Sequence, residues 1–141
     1  MKHVYDVIIV GCGVAGCFAA LHLPDTADIL MISKAGLEDS DSFLAQGGIC
    51  VLRDDNDYDS FFEDTLRAGH YENRKESVDI MIRSSRSVIK QLIGYGVEFA
   101  NRDGELAYTR EGAHSKNRIL YHDDITGKEI TSKLLARVHE K

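Results

Sequence analysis

The first third of the chain alternates between short apolar runs and residues that interrupt them. Residues 7–10 (VIIV) form a continuous apolar run, typical of a strand buried on both faces, and Gly11 ends it. Apolar residues at helical spacing then run from Val14 to Pro24, which cannot continue a helix. Residues 27–33 form a second apolar and β-branched run. The order strand, helix, strand predicts a βαβ unit in an α/β fold, with a right-handed crossover.

The remaining pattern is mainly helical. Apolar residues at helical spacing predict helices around 61–66, over 76–92 and over 129–141. Asp103 and Gly104 lie between two short runs and predict the turn of a β-hairpin. A doubly wound sheet needs more strands than the two clear ones found here. We therefore expect the 141 residues to be the truncated beginning of a larger α/β domain.

Composition narrows the class of protein. The apolar fraction of 43% is that of a globular domain, and a net charge of −6 disfavours nucleic-acid binding, which needs a basic face. No apolar stretch approaches the roughly 20 residues of a membrane helix. We therefore expect a cytoplasmic protein that does not associate with a membrane. Cys12, Cys17 and Cys50 lack metal-type spacing and are expected to be reduced, small core residues, with no metal site.

Three glycines carry the strongest chemical signal. Gly11, Gly13 and Gly16 follow the GxGxxG spacing between a buried-type strand and a helix. The first glycine permits a tight turn, the second lets the backbone approach a pyrophosphate, and the third lets the helix pack closely. Phosphates would bind the free N–H groups of the helix N-terminus. The alternative is a glycine-rich turn without a ligand, but the surrounding elements favour a dinucleotide.

The end of the second strand departs from the usual nicotinamide pattern. An acidic residue commonly stands there to hold the ribose hydroxyl groups. This chain has Ser33 followed by Lys34, which could approach an adenosine ribose or a phosphate. A nicotinamide-dependent dehydrogenase is therefore disfavoured.

Five segments, in order along nearly the whole chain, resemble the L-aspartate oxidase family. This family belongs to the succinate dehydrogenase/fumarate reductase flavoprotein superfamily. The AQGG motif at 45–48 marks the superfamily, whereas the REGAHS motif at 110–115 is more specific to the oxidase branch. The segments are DVIIVGCGVAG at 6–16, SK at 33–34, DSFLAQGGI at 41–49, EDTLRAG at 63–69 and TREGAHSKNRILYHDDITG at 109–127.

The resemblance implies a partial, three-layer, Rossmann-like FAD-binding domain that fills residues 1–141, with the capping and C-terminal helical domains absent. It places Lys34 on the adenosine side of FAD. The residues that it places on the pyrophosphate are Gly11, Cys12, Gly13, Val14, Ala15 and Gly16. Those that it places around the flavin are Asp41, Ser42, Phe43, Leu44, Ala45, Gln46, Gly47 and Gly48. For Ser40 and Ser42 taken singly, a helix cap and a turn remain an alternative.

Asp41 bears on how the flavin is held. In the succinate dehydrogenase and fumarate reductase branches, a histidine at the matching position links covalently to FAD. A carboxylate cannot form that bond, so the resemblance implies non-covalent FAD and a soluble oxidase rather than a respiratory subunit.

Glu111 and His114 are the candidate catalytic residues. The resemblance implies that Glu111 orients the amino group of aspartate, which succinate lacks. His114 is ranked below it, as a partner for a substrate carboxylate or for nearby backbone. Without the resemblance, a solvated polar loop is the preferred interpretation of this segment. For TGKE at 126–129 we expect packing against the flavin-binding part.

The implied reaction is oxidation of L-aspartate to iminoaspartate, with fumarate or O2 as the final electron acceptor, in quinolinate and NAD biosynthesis. Essential groups of the family, including a catalytic arginine, lie downstream, so we expect the 141 residues alone to lack turnover. Self-association through uncovered apolar surface is also expected. Two alternatives stay open: a piece of a fumarate reductase or succinate dehydrogenase flavoprotein, and a non-catalytic nucleotide-binding or interaction module.

Overall fold

The computed structural model describes residues 3–141 as a mixed α/β structure, which confirms the predicted class. The helices are α1 (Val14–His22), α2 (Asp41–Leu44), α3 (Tyr58–Ala68), α4 (Lys75–Gly94) and α5 (Thr126–Glu140). The strands are β1 (Val7–Val10), β2 (Ile29–Ile32), β3 (Ile49–Cys50), β4 (Asn101–Arg102), β5 (Glu105–Leu106) and β6 (Ile119–Leu120). Short 3-10 turns precede α2 and α3. Among the described residues, no helix is both long and apolar enough to cross a membrane.

The predicted βαβ unit is confirmed. β1 and β2 pair in parallel with Val7 opposite Ile29 and Val10 opposite Ile32. α1 connects them and ends at His22, just before the proline that the sequence marks as a stop. The Gly11 N–H donates to the Ile32 carbonyl at 2.8 Å, which ties the turn after β1 to the end of β2.

The two faces of this parallel sheet differ in their surroundings. Side chains alternate between the faces of a strand, and those of Val7 and Ile9 are half-buried. Ile8 and Val10 point the opposite way and are 59% and 80% exposed. α1 packs on α5, which also contacts α2. Within residues 3–141, no third layer covers the outer face of the sheet.

The core consists of two clusters that α4 joins. Its C-terminal half places Ile89 and Leu92 in a cluster with side chains of α1 and α5. Its N-terminal half places Val78 and Ile82 in a cluster with α3. The apolar stripe predicted over 76–92 is therefore the buried face of α4, although Met81 within the stripe is 43% exposed.

The hairpin at Asp103 and Gly104 is confirmed, with two residues in each strand. Both turn residues have positive φ, 55° and 84°, as a tight two-residue hairpin turn requires. The antiparallel pairing of β3 with β6 is not predicted by the sequence pattern. Each of these strands has only two residues, and about seventy residues of chain separate the partners.

Candidate functional site

The glycine turn after β1 has a shape that only glycine permits at two positions. Gly11 has a φ of 110°, in the region that side-chain-bearing residues rarely adopt. A Cβ on Gly16 would lie 1.9 Å from the Gly11 carbonyl oxygen, so a side chain there would force α1 away from the strand. These are the tight-turn and close-packing roles that the GxGxxG spacing predicts for the two residues.

The N-terminus of α1 has free hydrogen-bond donors. Gly13 is the N-cap residue, and no side chain among residues 3–141 caps the helix. The first N–H groups of a helix lack intrahelical acceptors and carry partial positive charge. Ala15, in the first turn, is exposed. These residues therefore fit the pyrophosphate of a dinucleotide, which would supply the missing acceptors.

The second glycine-bearing segment lies beside the first. A Cβ on Gly13 would approach the Ser42 Oγ to 2.8 Å, so the N-terminus of α1 and the short helix α2 are in direct contact. The Ser40 Oγ accepts the Phe43 N–H at 3.2 Å and caps α2, which confirms the cap interpretation for Ser40. Ser42 instead faces the glycine turn.

The start of α5 packs against the segment that contains Ser42 and Ala45. The Gly127 N–H donates to the Ala45 carbonyl at 2.9 Å. A Cβ on Gly127 would lie 2.2 Å from the Ser42 carbonyl oxygen and 2.6 Å from that of Ala45. The expected packing of the TGKE segment at 126–129 is confirmed by these contacts, and Gly127 is required for the close approach.

Glu111 is exposed, and its side chain reaches the AQGG segment. Its Oε1 accepts the Gly48 N–H at 3.0 Å, across 63 positions of sequence. Its Oε2 would lie 3.2 Å from a Cβ on Gly47. The Gly48 N–H is therefore already engaged and does not face a flavin ring as a free donor. Gly48 also has a packing reason to be glycine, because a Cβ there would meet Ile119 and Leu120 at 2.3 Å.

His114 is held in one neutral form. Arg118 Nη1 lies 3.0 Å from the His114 Nδ1, and because a guanidinium can only donate, Nδ1 must accept and the ring proton must be on Nε2. Burial, and then the positive charge of Arg118, lower the pKa of His114 below its ordinary value. The contact with Arg118 thus leaves Nε2 as the nitrogen through which the neutral ring donates a hydrogen bond.

The other predicted site residues differ in how far they are exposed to solvent. Lys34 is exposed and follows β2 by two residues, near the glycine turn that Ile32 contacts. Cys12 and Cys17 are buried, as expected of small core residues, and burial raises the pKa of the Cys17 thiol to about 11. The exposed members of the predicted flavin segment are Asp41, Leu44, Ala45, Gln46 and Gly47, and the half-buried ones are Ser42, Phe43 and Gly48.

Sequence reasoning missed a buried ionic cluster. Arg118 is fully buried and bound by Asp57 and Asp64, which are 2% and 3% exposed. Burial, the largest single cause, would raise the pKa of both carboxyl groups. Hydrogen bonds from Arg118 and from a serine on each carboxylate, together with the positive charge of Arg118, outweigh it and hold both pKa values below their usual range. The sequence indicates this cluster only by charged residues that lie near apolar helix positions. Most charged surface residues share this feature, so it does not identify a buried ionic cluster.

A family model described as "FAD binding domain" matches residues 6–141. The chain belongs to this family. The matched residues include β1, the glycine turn, the AQGG segment and the loop that carries Glu111. FAD is thus the cofactor of the domain, and the glycine turn and the helix N-terminus are the parts of the structure that fit its pyrophosphate.

Curated relatives of this FAD-binding domain carry the name L-aspartate oxidase. The protein of that name from Clostridium perfringens is 47% identical over 141 residues, which are 100% of this chain and 32% of the relative. The one from Clostridium acetobutylicum is 44% identical over 137 residues, 96% of this chain and 32% of the relative. The chain therefore spans about a third of the length of these relatives.

Solved structures of fumarate reductases share the fold. An E. coli quinol fumarate reductase FrdA mutant superimposes with a TM-score of 0.88 at 28% identity, covering 96% of this chain and 24% of that one. A quinol-fumarate reductase with menaquinol molecules gives a TM-score of 0.87, also at 28% identity and with the same coverage. The FAD-binding domain thus has the backbone arrangement of this flavoprotein group.

Proposed function

We propose that this chain is the N-terminal, FAD-binding part of an L-aspartate oxidase that converts L-aspartate to iminoaspartate in the cytoplasm. The observation that carries the proposal is the identity of 47% over the whole chain with a relative of that name. The fumarate reductase structures support the shared fold at 28% identity. The same proposal includes fumarate or O2 as electron acceptor and self-association through the exposed face of the β1–β2 sheet.

The residues proposed to hold FAD are those of the glycine turn and of the segment from Asp41 to Gly48, except for the Gly48 N–H, which Glu111 already binds. The free N–H groups of α1 would bind the pyrophosphate, and Lys34 would approach the adenosine side. When bound, FAD supplies the acceptor for the hydride that leaves the substrate. Asp41 is exposed and stands where a covalent link would need a histidine, which supports non-covalent binding.

Glu111 is proposed to orient the substrate ammonium group. Its Oε1 is occupied by the Gly48 N–H, so the side chain has a fixed direction before substrate arrives. Its Oε2 makes no hydrogen bond within residues 3–141 and can accept one from an ammonium group. His114 would donate from Nε2 to a substrate carboxylate, because the contact with Arg118 leaves the ring proton on that nitrogen.

FAD binding can be separated from folding at the N-terminus of α1. Ala15→Glu puts a carboxylate in the first helical turn, where it favours the helix but repels a pyrophosphate. We expect it to weaken FAD binding at least about tenfold, a loss of about 1.4 kcal/mol, without lowering the unfolding temperature. Ala19→Glu, one turn later on the same helix and also exposed, is the matched control and should bind FAD like the parent chain.

The measurement is a titration of the purified 141-residue chain with FAD, followed by flavin fluorescence and absorbance. Acid precipitation should release all of the flavin, as non-covalent binding requires. A chain that binds no FAD, or that binds it equally well with Ala15→Glu, would contradict the proposed pyrophosphate site.

Turnover is tested in a chimera, because this chain spans about a third of its curated relatives. The 141 residues replace the matching part of the Clostridium perfringens protein, and aspartate-dependent peroxide formation is measured. We expect activity in the chimera and none in the 141-residue chain alone. Succinate oxidation in place of aspartate oxidation would favour the fumarate reductase alternative, and turnover by the isolated chain would refute the need for further domains.

A further inference from the structure

Arg118 is fully buried and is bound by two carboxylates. Its Nε and Nη2 donate to the two oxygens of Asp57 at 3.0 and 2.8 Å, the forked geometry that guanidinium and carboxylate groups favour. Its Nη1 donates to Asp64 Oδ2 at 2.7 Å. Burial alone would lower the pKa of Arg118, but these bonds outweigh it and raise that pKa, so the group stays charged.

Asp64 joins this cluster to the loop of residues 109–118. The Ser115 N–H and the Ser115 hydroxyl both donate to Asp64 Oδ2, each at 2.7 Å. Arg118 also contacts His114 at 3.0 Å. The C-terminal half of the loop is therefore fixed to α3 and to the turn before it by three almost fully buried side chains, Asp57, Asp64 and Arg118. The exposed Ser115 adds its two bonds to Asp64.

The middle of the loop has a backbone conformation that its surroundings must hold. Ala113 has a φ of 70°, which residues with a side chain rarely adopt. Such a conformation persists only where the neighbouring structure fixes it. On one side of Ala113, Glu111 is bound to the Gly48 N–H, and on the other side Ser115 is bound to Asp64.

Stability alone does not explain a buried ionic cluster well, because well-packed apolar residues at the same positions commonly give equal or greater stability. A guanidinium group that binds both oxygens of a carboxylate also holds its side chain in one orientation. We propose that Arg118, held by Asp57 and Asp64, is a positioning residue that sets the 109–118 loop so that Glu111 stays on the Gly48 amide. This positioning would keep a fixed spacing between Glu111 and residues 41–48 during catalysis, a consequence that rests on the proposed function.

Amide hydrogen exchange at Gly48, measured by NMR on the 141-residue chain, tests this coupling. Ser115→Ala removes one of the two bonds from Ser115 to Asp64 and should speed exchange at Gly48 about 5–10-fold, as the loss of one hydrogen bond implies. Arg118→Lys keeps the charge but loses the fork and should have a larger effect. Exchange at Ile89 in α4 should not change, and Ser115→Thr, which keeps the hydroxyl, should restore slow exchange at Gly48.

Arg67→Gln is the matched control. Arg67 also binds Asp64, at 2.7 Å through Oδ1, but it is exposed and lies on α3 rather than in the loop. Its loss should leave Gly48 exchange unchanged. The proposal is overturned if Ser115→Ala has no effect at Gly48, or if exchange rises equally at Ile89 or with Arg67→Gln.

If Arg118→Lys does not fold, Ser115→Ala decides the outcome alone. The readout needs neither FAD nor aspartate, so it distinguishes failure of this coupling from failure of the proposed activity.

Discussion

Gly127 has no side chain, and the space where one would lie is already filled. Backbone oxygens of Ser42 and Ala45 occupy it, and backbone cannot move aside as the end of a flexible side chain can. The N–H of the same residue donates to Ala45. One residue at the start of α5 thus sets how closely that helix approaches the predicted flavin segment.

Gly127→Ala should therefore destabilise the chain by about 1–3 kcal/mol, the usual cost of forcing extra volume into a packed site. It should also weaken FAD binding, because α2 and Ala45 must shift. Gly112→Ala is the control, since a Cβ there meets nothing within 4 Å. Urea unfolding and FAD titration measure both effects. Equal stability of the two variants would show that α5 does not constrain the segment.

At the scale of elements, α3 has two functions in the structure. Phe61 and Leu66 bury its apolar side in the cluster shared with α4. Asp64 is also buried on α3, where it binds Arg118 and Ser115. A single helix therefore packs the core and anchors the loop that carries Glu111, which links the stability of α3 to the geometry of the site.

This linkage predicts a loss of stability in acid. The pKa values of Asp57 and Asp64 are lowered in the folded chain, so the unfolded chain binds protons more readily. The stabilisation is present above the unfolded pKa of about 3.9 and is lost as the pH falls through the lower folded values. The lowered pKa of His114 adds a decline that begins near pH 6.5, because protonation there favours the unfolded chain.

Urea unfolding from pH 7 down to about pH 2 measures this dependence. Asp64→Asn should cost about 3 kcal/mol at pH 7, because it removes a buried partner of Arg118, and should flatten the decline in acid. Asp59→Asn, on the exposed side of the same helix, should change stability by less than about 0.5 kcal/mol and keep the parent slope. An unchanged acid slope in Asp64→Asn would contradict the assignment.

For the whole molecule, the outer face of the parallel sheet is an exposed apolar surface. Ile8 and Val10 share its outer face and are more than half exposed, and Ile32 on β2 is 43% exposed. Adjacent apolar strand residues of this kind favour contact with other apolar surface. A second copy of the chain is one source of such surface, as proposed above.

Replacing Ile8 and Val10 together by threonine should reduce self-association while keeping residues that favour strands. Sedimentation equilibrium measures the mass over a range of concentrations, and we expect the parent chain to exceed the mass of one chain. Ile80→Thr, at a position 61% exposed on α4, is the control and should associate like the parent. A parent chain that is monomeric at every concentration would disprove this proposal.

Local pattern was sufficient for most elements of this chain. The βαβ unit, α3, α4, α5 and the hairpin at Asp103 and Gly104 all follow from spacing within a short window. The glycine turn was also predictable, because its three positions lie within one strand-to-helix connection. In these cases the side chains that decide the conformation are neighbours in sequence.

Contacts between distant residues depended on the tertiary structure. The bond from Gly48 to Glu111 spans 63 positions, and the Arg118 cluster joins residues more than fifty positions apart. Neither spacing nor hydrophobic period encodes such a pairing, because it arises only when helices and strands pack. The amino-acid sequence by itself determined the glycine turn between β1 and α1, because its three glycines are neighbours in sequence. Only packing decided which side chains hold residues 41–48 and the loop of Glu111 in place, because burial and hydrogen-bond direction are properties of the assembled chain.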